Sequence, residues 1–190
     1  MANMKRVGFG QVEPNHLSAQ RTAQIYAQLP AAAAIDVLEN GQYVKYDYAN
    51  NEINFTGKGE WMMVFNEVKL YDEFWRESYK DFAMKKDNYT VGSDSISHNG
   101  VGPLKGQMVP RVIKINIGDI YTTNCLAVAN TDGKATVEME DLAVGDLLNV
   151  DTTGYLKKVS EGSAEGLTLQ VVKRYTLADG QEAVKVMRIA

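Results

Sequence analysis

Hydrophobic positions in this chain come as short runs broken by clusters of Gly, Asn, Asp and Thr. Runs of that length, bounded by turn formers, predict β-strands rather than helices. One stretch shows the frame most plainly: Gly145-Asp146-Leu147-Leu148-Asn149-Val150-Asp151. A Gly able to take a positive φ is followed by a polar residue, two strand formers and a closing Asp. The frame recurs at Gly41-Gln42-Tyr43-Val44-Lys45-Tyr46-Asp47 and, with Asn at the close, at Gly118-Asp119-Ile120-Tyr121-Thr122-Thr123-Asn124. Three copies make internal repetition one reading; chance recurrence in a β-rich chain is the other.

Strands and turns fill the rest from Ile35 onward. Asn40-Gly41 is a two-residue hairpin signal, and Ala49-Asn50-Asn51-Glu52 and Thr56-Gly57-Lys58-Gly59 are further turns. Trp61-Met62-Met63-Val64-Phe65 is a continuous apolar run, expected of a strand buried on both faces. Ile113, Ile115 and Ile117 alternate with Lys114 and Asn116, which predicts three isoleucines facing a core. Leu167, Leu169 and Val171 alternate with Thr168 and Gln170, and Ala178-Asp179-Gly180-Gln181 reads as the hairpin turn before the last strand. The pattern predicts a mainly β fold, a short-stranded β-barrel or sandwich with little helix.

Two regions break the pattern. Residues 1–34 carry few large apolar groups; the chain stops at Pro14, and a short helix after Ser18 would align Ala19, Ala23 and Ala27 before Pro30 ends it. This predicts an extended N-terminal arm, with a poorly ordered tail as the alternative. Between Asp72 and Lys86, Phe74, Trp75, Tyr79 and Phe82 fall at offsets suited to one face of a short helix or structured loop. They are the candidate partner-facing patch. The expected organisation is an arm at 1–34, a β-rich region at 35–110 with a long Gly/Ser loop at 87–108, and a C-terminal β-barrel at 111–190.

Composition narrows the function classes. With 190 residues and 45% hydrophobic content, the chain can bury ~70% of its unfolded surface without a staple. A net charge of −4 and a pI near 5.3 give no basic footprint for nucleic acid. The lone Cys125 forbids an internal disulfide and reads as a small buried hydrophobe. No apolar run reaches the roughly 18 residues of a membrane span. No apolar region follows the basic start, so the expectation is a protein without signal peptide, made in the cytoplasm.

Candidate chemistry adds little. His16 and His98 are the two histidines, and neither has the neighbours of a Ser-His-Asp arrangement. The glycine clusters at 8–10, 57–59 and 100–106 lack the spacing of a phosphate loop. No catalytic, cofactor-binding or metal-ligating residue is nominated, and the expectation is a protein that is not an enzyme and uses no cofactor.

At the C-terminal end the chain acquires a resemblance. Leu142-Ala143-Val144-Gly145-Asp146-Leu147-Leu148, then Gly154-Tyr155-Leu156-Lys157-Lys158-Val159, then Val184-Lys185-Val186 near the end resemble the small β-barrel of tailed-bacteriophage capsid decoration, or cement, proteins. The resemblance covers roughly residues 140–190. It implies a non-enzymatic virion protein that binds and stabilises the outside of the capsid. It also implies the major capsid protein as partner and a homotrimer or other homo-oligomer; with the charge and the missing apolar span, the expected partners include no nucleic acid and no membrane. Residues 1–34 would then be the capsid-binding arm, with Val7, Phe9, Leu17, Ile25 and Tyr26 as its contacts, since they are its large apolar groups. The alternative is a head-fibre or adhesin module gripping host glycan through Phe74, Trp75, Tyr79 and Phe82. An enzyme using His98 is a third reading.

Overall fold

The computed structural model describes residues 9–18, 28–66, 83–86, 108–127, 142–159, 166–177 and 180–190. The fold is mainly β. Among the described residues lie β1 (Val12–His16), β2 (Val37–Glu39), β3 (Tyr43–Asp47), β4 (Glu52–Asn54), β5 (Met62–Val64), β6 (Ala83–Lys85), β7 (Val112–Ile113), β8 (Ile120–Thr123), β9 (Leu147–Val150), β10 (Leu156–Lys158), β11 (Thr168–Thr176) and β12 (Glu182–Arg188). They form a six-stranded sheet in the order β1-β8-β12-β11-β9-β10, a four-stranded sheet β4-β3-β5-β7 and a two-stranded sheet β2-β6. All the pairings in these sheets are antiparallel.

The recurring frame is one structural device used three times. Gly41, Gly118 and Gly145 have φ of 88°, 89° and 98°. Each is the third residue of a turn closed by a backbone bond: Gln42 to Glu39 (3.1 Å), Asp119 to Asn116 (3.0 Å) and Asp146 to Ala143 (3.2 Å). Glycine at that position with positive φ defines a type II turn. The side chain after each Gly then accepts the N–H of the first turn residue: Gln42 from Glu39 (3.0 Å), Asp119 from Asn116 (2.8 Å), Asp146 from Ala143 (2.7 Å). Finally, each Gly N–H donates to the carbonyl of a distant strand residue, whose own N–H returns to the residue after the Gly. That partner is Val64 for Gly41, Arg188 for Gly118 and Val171 for Gly145. Two residues opposing one, the first a left-handed Gly, is the G1 β-bulge. In each copy the strand begins two residues after the Gly, at Tyr43, Ile120 and Leu147.

The sheets pack in layers. Tyr43, Met63 and Ile113 of the four-stranded sheet join Tyr121, Leu148, Leu156, Leu169, Val171, Val184 and Val186 of the six-stranded sheet in one core. Their sequence neighbours Val44, Val64 and Val112 point the opposite way, into a second core with Leu38, Met84, Ile35 and Met108. The apolar run around Met63 and Val64 is therefore buried on both faces, because its strand lies between two cores. Sheet-on-sheet packing gives a sandwich. The six-stranded sheet also rolls: beyond β8, Leu126 bridges Leu156 of β10, and the Ala127 N–H bonds the Leu156 carbonyl (2.7 Å). One bridge is not a ladder, so the barrel is not closed. Residues 35–110 and 111–190 share a core and exchange main-chain bonds. The Tyr43 N–H donates to the Gly154 carbonyl (2.7 Å), an approach so close that a Cβ on Gly154 would overlap the Tyr43 oxygen.

Several expectations change. The described parts of residues 1–34 are built into the body. β1 pairs with β8, Leu17 belongs to the main core, and residues 30–32 run beside β4 through bonds between Ile53 and both Pro30 and Ala32. Pro14 does not stop the chain; it sits within β1, the edge strand, where a missing N–H is tolerated. Asn40-Gly41 forms a turn but not a hairpin, since β2 pairs with β6 and β3 with β4 and β5. Ile117 is 71% exposed, because the alternation ends at the turn that carries it to the tip beside Gly118. Residues 83–85, at the end of the candidate helical stretch, are strand. The expected helix after Ser18, the aromatic patch and the 87–108 loop lie largely or wholly outside the described residues.

Candidate interaction surface

The N-terminal segment is held by a series of specific contacts. The Glu39 carboxylate, itself buried, accepts the Gly10 N–H (2.6 Å) and the Tyr155 hydroxyl (2.7 Å). The buried Asn124 side chain accepts the Gln11 N–H (2.8 Å). Asp119, also buried, accepts both the N–H (2.9 Å) and the hydroxyl (2.5 Å) of Ser18. Gly10 fits a notch in which a Cβ would collide with the Asn40 carbonyl and the Cys125 side chain. Buried acceptors of this kind are costly to leave empty, so they fix the segment in register.

Of the expected arm contacts, Leu17 is 2% exposed and spends its surface inside the chain. Phe9 is half-buried, with the Lys85 Nζ 5.0 Å from its ring centroid. Val7, Ile25 and Tyr26 lie outside the described residues, as do Phe74, Trp75, Tyr79, Phe82 and His98. His16 lies on the exposed half of β1. Cys125 is buried, as its apolar surroundings predicted.

Two polar clusters tie the layers together. The hydroxyls of Tyr43 and Tyr121 are hydrogen-bonded to each other. Burial raises both phenols well above their ordinary range; the bond to Tyr121 partly offsets this for Tyr43, and a charge on Tyr43 would raise Tyr121 further. At the edge of the core, Glu60 accepts from Lys114 (2.8 Å) and Arg188 (2.7 Å), and Arg188 also bonds the Ile115 carbonyl. Partial burial alone would raise the Glu60 carboxyl, but its two cationic partners together hold it below the usual range. In both clusters every charge or hydroxyl is engaged within the chain, which suits a fastening role. No group of three metal-ligating side chains occurs among the described residues. No helix among them is long and apolar enough to cross a membrane.

The outward apolar groups that sequence reasoning missed are at turn tips. Ile117 and Val144 (66% exposed) occupy the same position, immediately before the Gly of the second and third bulge turns. Their common signal is the frame itself: the residue preceding its Gly points away from the sheet unless something covers it. In the first copy Asn40 is covered, bonded in both directions to the Asn66 backbone (3.0 and 2.8 Å). Tyr48, 68% exposed, extends past β3, its ring tilted by 33° against that of Tyr46 with centroids 5.5 Å apart.

Comparison with family models, curated proteins and solved structures finds no match for the chain.

Proposed function

We propose that this chain is a non-enzymatic structural protein of a tailed-phage virion that decorates the outside of the capsid and stabilises it. Its partner is the major capsid protein, and its working form is a homotrimer or other homo-oligomer. One observation carries the reading. The stretch that resembles decoration proteins forms the antiparallel set β9, β10, β11 and β12 of a rolled sheet, starting from the Gly145 bulge turn. The fastening of the sheets also suits a protein that must hold its shape while bound. With Leu17 committed to the core and Phe9 half-buried, the anchoring role falls to Val7, Ile25 and Tyr26. Many weak copies on a lattice gain affinity through multivalency.

Thermal release of DNA tests this. Heads lacking the protein are heated with and without saturating amounts of the purified chain. A higher release temperature with the protein is expected; an unchanged temperature overturns the stabilising role.

A further inference from the structure

The outer face of the six-stranded sheet carries a charge arrangement that the fold does not resolve within the described residues. Lys185 of β12 lies between Val184 and Val186, both fully buried, so its side chain is on the face away from the core. Directly across the ladder from it is Lys173 of β11. Directly opposed residues of an antiparallel pair project to one face with Cβ atoms about 4.5–5.5 Å apart, and like charges there repel. The register that produces this meeting depends on an irregularity between Val171 and Lys173. Neither lysine is in an ion pair among the described residues; Glu182, three residues before Lys185 on β12 and so on the other face, is engaged by Arg174 at 3.4 Å. On the other flank of Lys185 the row continues through the uncharged Thr122 to Glu13 of β1, a carboxylate two strands away from Lys185. Tyr175 completes the patch, its ring centroid 5.5 Å from the Lys185 Nζ.

We infer that the Lys173–Lys185 pair, walled by Tyr175, is a docking point for a carboxylate-bearing segment of a protein partner. A carboxylate placed between the two ammonium groups turns their repulsion into two attractive contacts, and the Tyr175 ring offers an apolar wall for the acidic side chain's methylenes. The favoured class is a short acidic stretch of protein rather than a nucleic acid. The patch supplies two cations, whereas a phosphate backbone is bound by a stripe of them, and a net charge of −4 repels a long polyanion. The inference does not depend on the partner being a capsid.

The test is an amide NMR titration of the full chain with a hexaglutamate peptide, and separately with a single-stranded oligonucleotide of equal charge. Shifts confined to the neighbourhood of Thr122, Lys173, Tyr175 and Lys185 are expected. They should vanish at about 1 M salt, where the screening length falls to about 3 Å. In the Lys173→Gln/Lys185→Gln double variant the peptide should bind roughly threefold more weakly or worse, the scale that two exposed charge pairs supply. That variant loses the repulsion and also the Lys185 contact with the Tyr175 ring, exposed effects of opposite sign, so it should melt close to the parent, and a thermal melt run alongside separates weaker binding from misfolding. Lys157→Gln, an exposed lysine on β10, should change nothing. Absent shifts, equal weakening by Lys157→Gln, or tighter binding of the oligonucleotide would each overturn the inference.

Discussion

Tyr43 of the four-stranded sheet and Tyr121 of the six-stranded sheet share a hydrogen bond between their hydroxyls inside the main core, both side chains fully buried. The bond pins the two layers from inside the apolar core, alongside the Tyr43 N–H bond to the Gly154 carbonyl and the Glu60–Arg188 ion pair at its edge. Removing one hydroxyl leaves the other buried without its partner, which costs about 1–3 kcal/mol, whereas removing both is milder. Tyr121→Phe should therefore destabilise more than an isolated bond's net worth, and the Tyr43→Phe/Tyr121→Phe double variant less than the sum of the singles. Urea unfolding of the three variants measures this.

The same pair makes stability sensitive to alkali. Both phenols titrate above the ordinary 10.0 when folded. Their contribution is complete below pH 10, where both states hold the protons. It is lost as pH rises beyond 10, because the unfolded chain releases protons that the folded chain retains. A plot of unfolding free energy against pH should fall above pH 10, and fall less in the double Phe variant.

Glu60 acts with the opposite sign. Its carboxyl is held below the ordinary 4.5, so its contribution is present above that value and is lost as pH falls through the folded-state value. Glu60→Gln should flatten the acid side of the stability profile and leave the alkaline side unchanged. Thermal melts of parent and variant across both the acid and the alkaline range check the two halves of this prediction.

The bulge turns predict a ranked series. At Gly145 and Gly118 an added Cβ meets nothing within 4 Å, so alanine there costs only the left-handed backbone strain, about 1–2 kcal/mol. At Gly41 the Cβ would also come within 2.8 Å of the Cys125 Cβ and 3.0 Å of the Thr123 Oγ1, so Gly41→Ala should be the most damaging of the three. Gly145→Asn should be milder than Gly145→Ala, since Asn accepts the left-handed region more readily. Chemical denaturation of the four variants gives the order.

The sequence made the strand content legible for a local reason. Leu167, Leu169 and Val171 alternate, and the three Gly frames carry their own hydrogen-bonding logic in a seven-residue window. What stayed hidden was non-local. β1 has only Val12, with Leu17 just past its end, to mark it as core, and its placement comes from β8 and from Asn124, 113 residues from Gln11, the residue before β1 that bonds it. Ile117 continues an alternation that the turn at Gly118 interrupts, so period counting carried it into the core while the backbone carried it to solvent. The Lys173–Lys185 meeting needed the irregularity after Val171, which no period in the sequence announces.

Integration of β1 also revises how an N-terminal anchor can be tested. Leu17→Ala should cost about 2–5 kcal/mol, as for a buried leucine elsewhere. Deleting residues 1–34 should destabilise the sheet itself, while deleting residues 1–8 leaves β1 and its contacts in place. Circular dichroism melts of the two truncations check this before either is used in a binding assay.

Co-sedimentation with expanded heads that lack the protein tests the central claim most directly. The full chain and the chain without residues 1–8 are mixed with heads at increasing concentration and pelleted. Saturable binding of the full chain at a fixed copy number per head, weakened by the deletion, is the predicted result. A full chain that stays folded and remains in the supernatant at every concentration would contradict it.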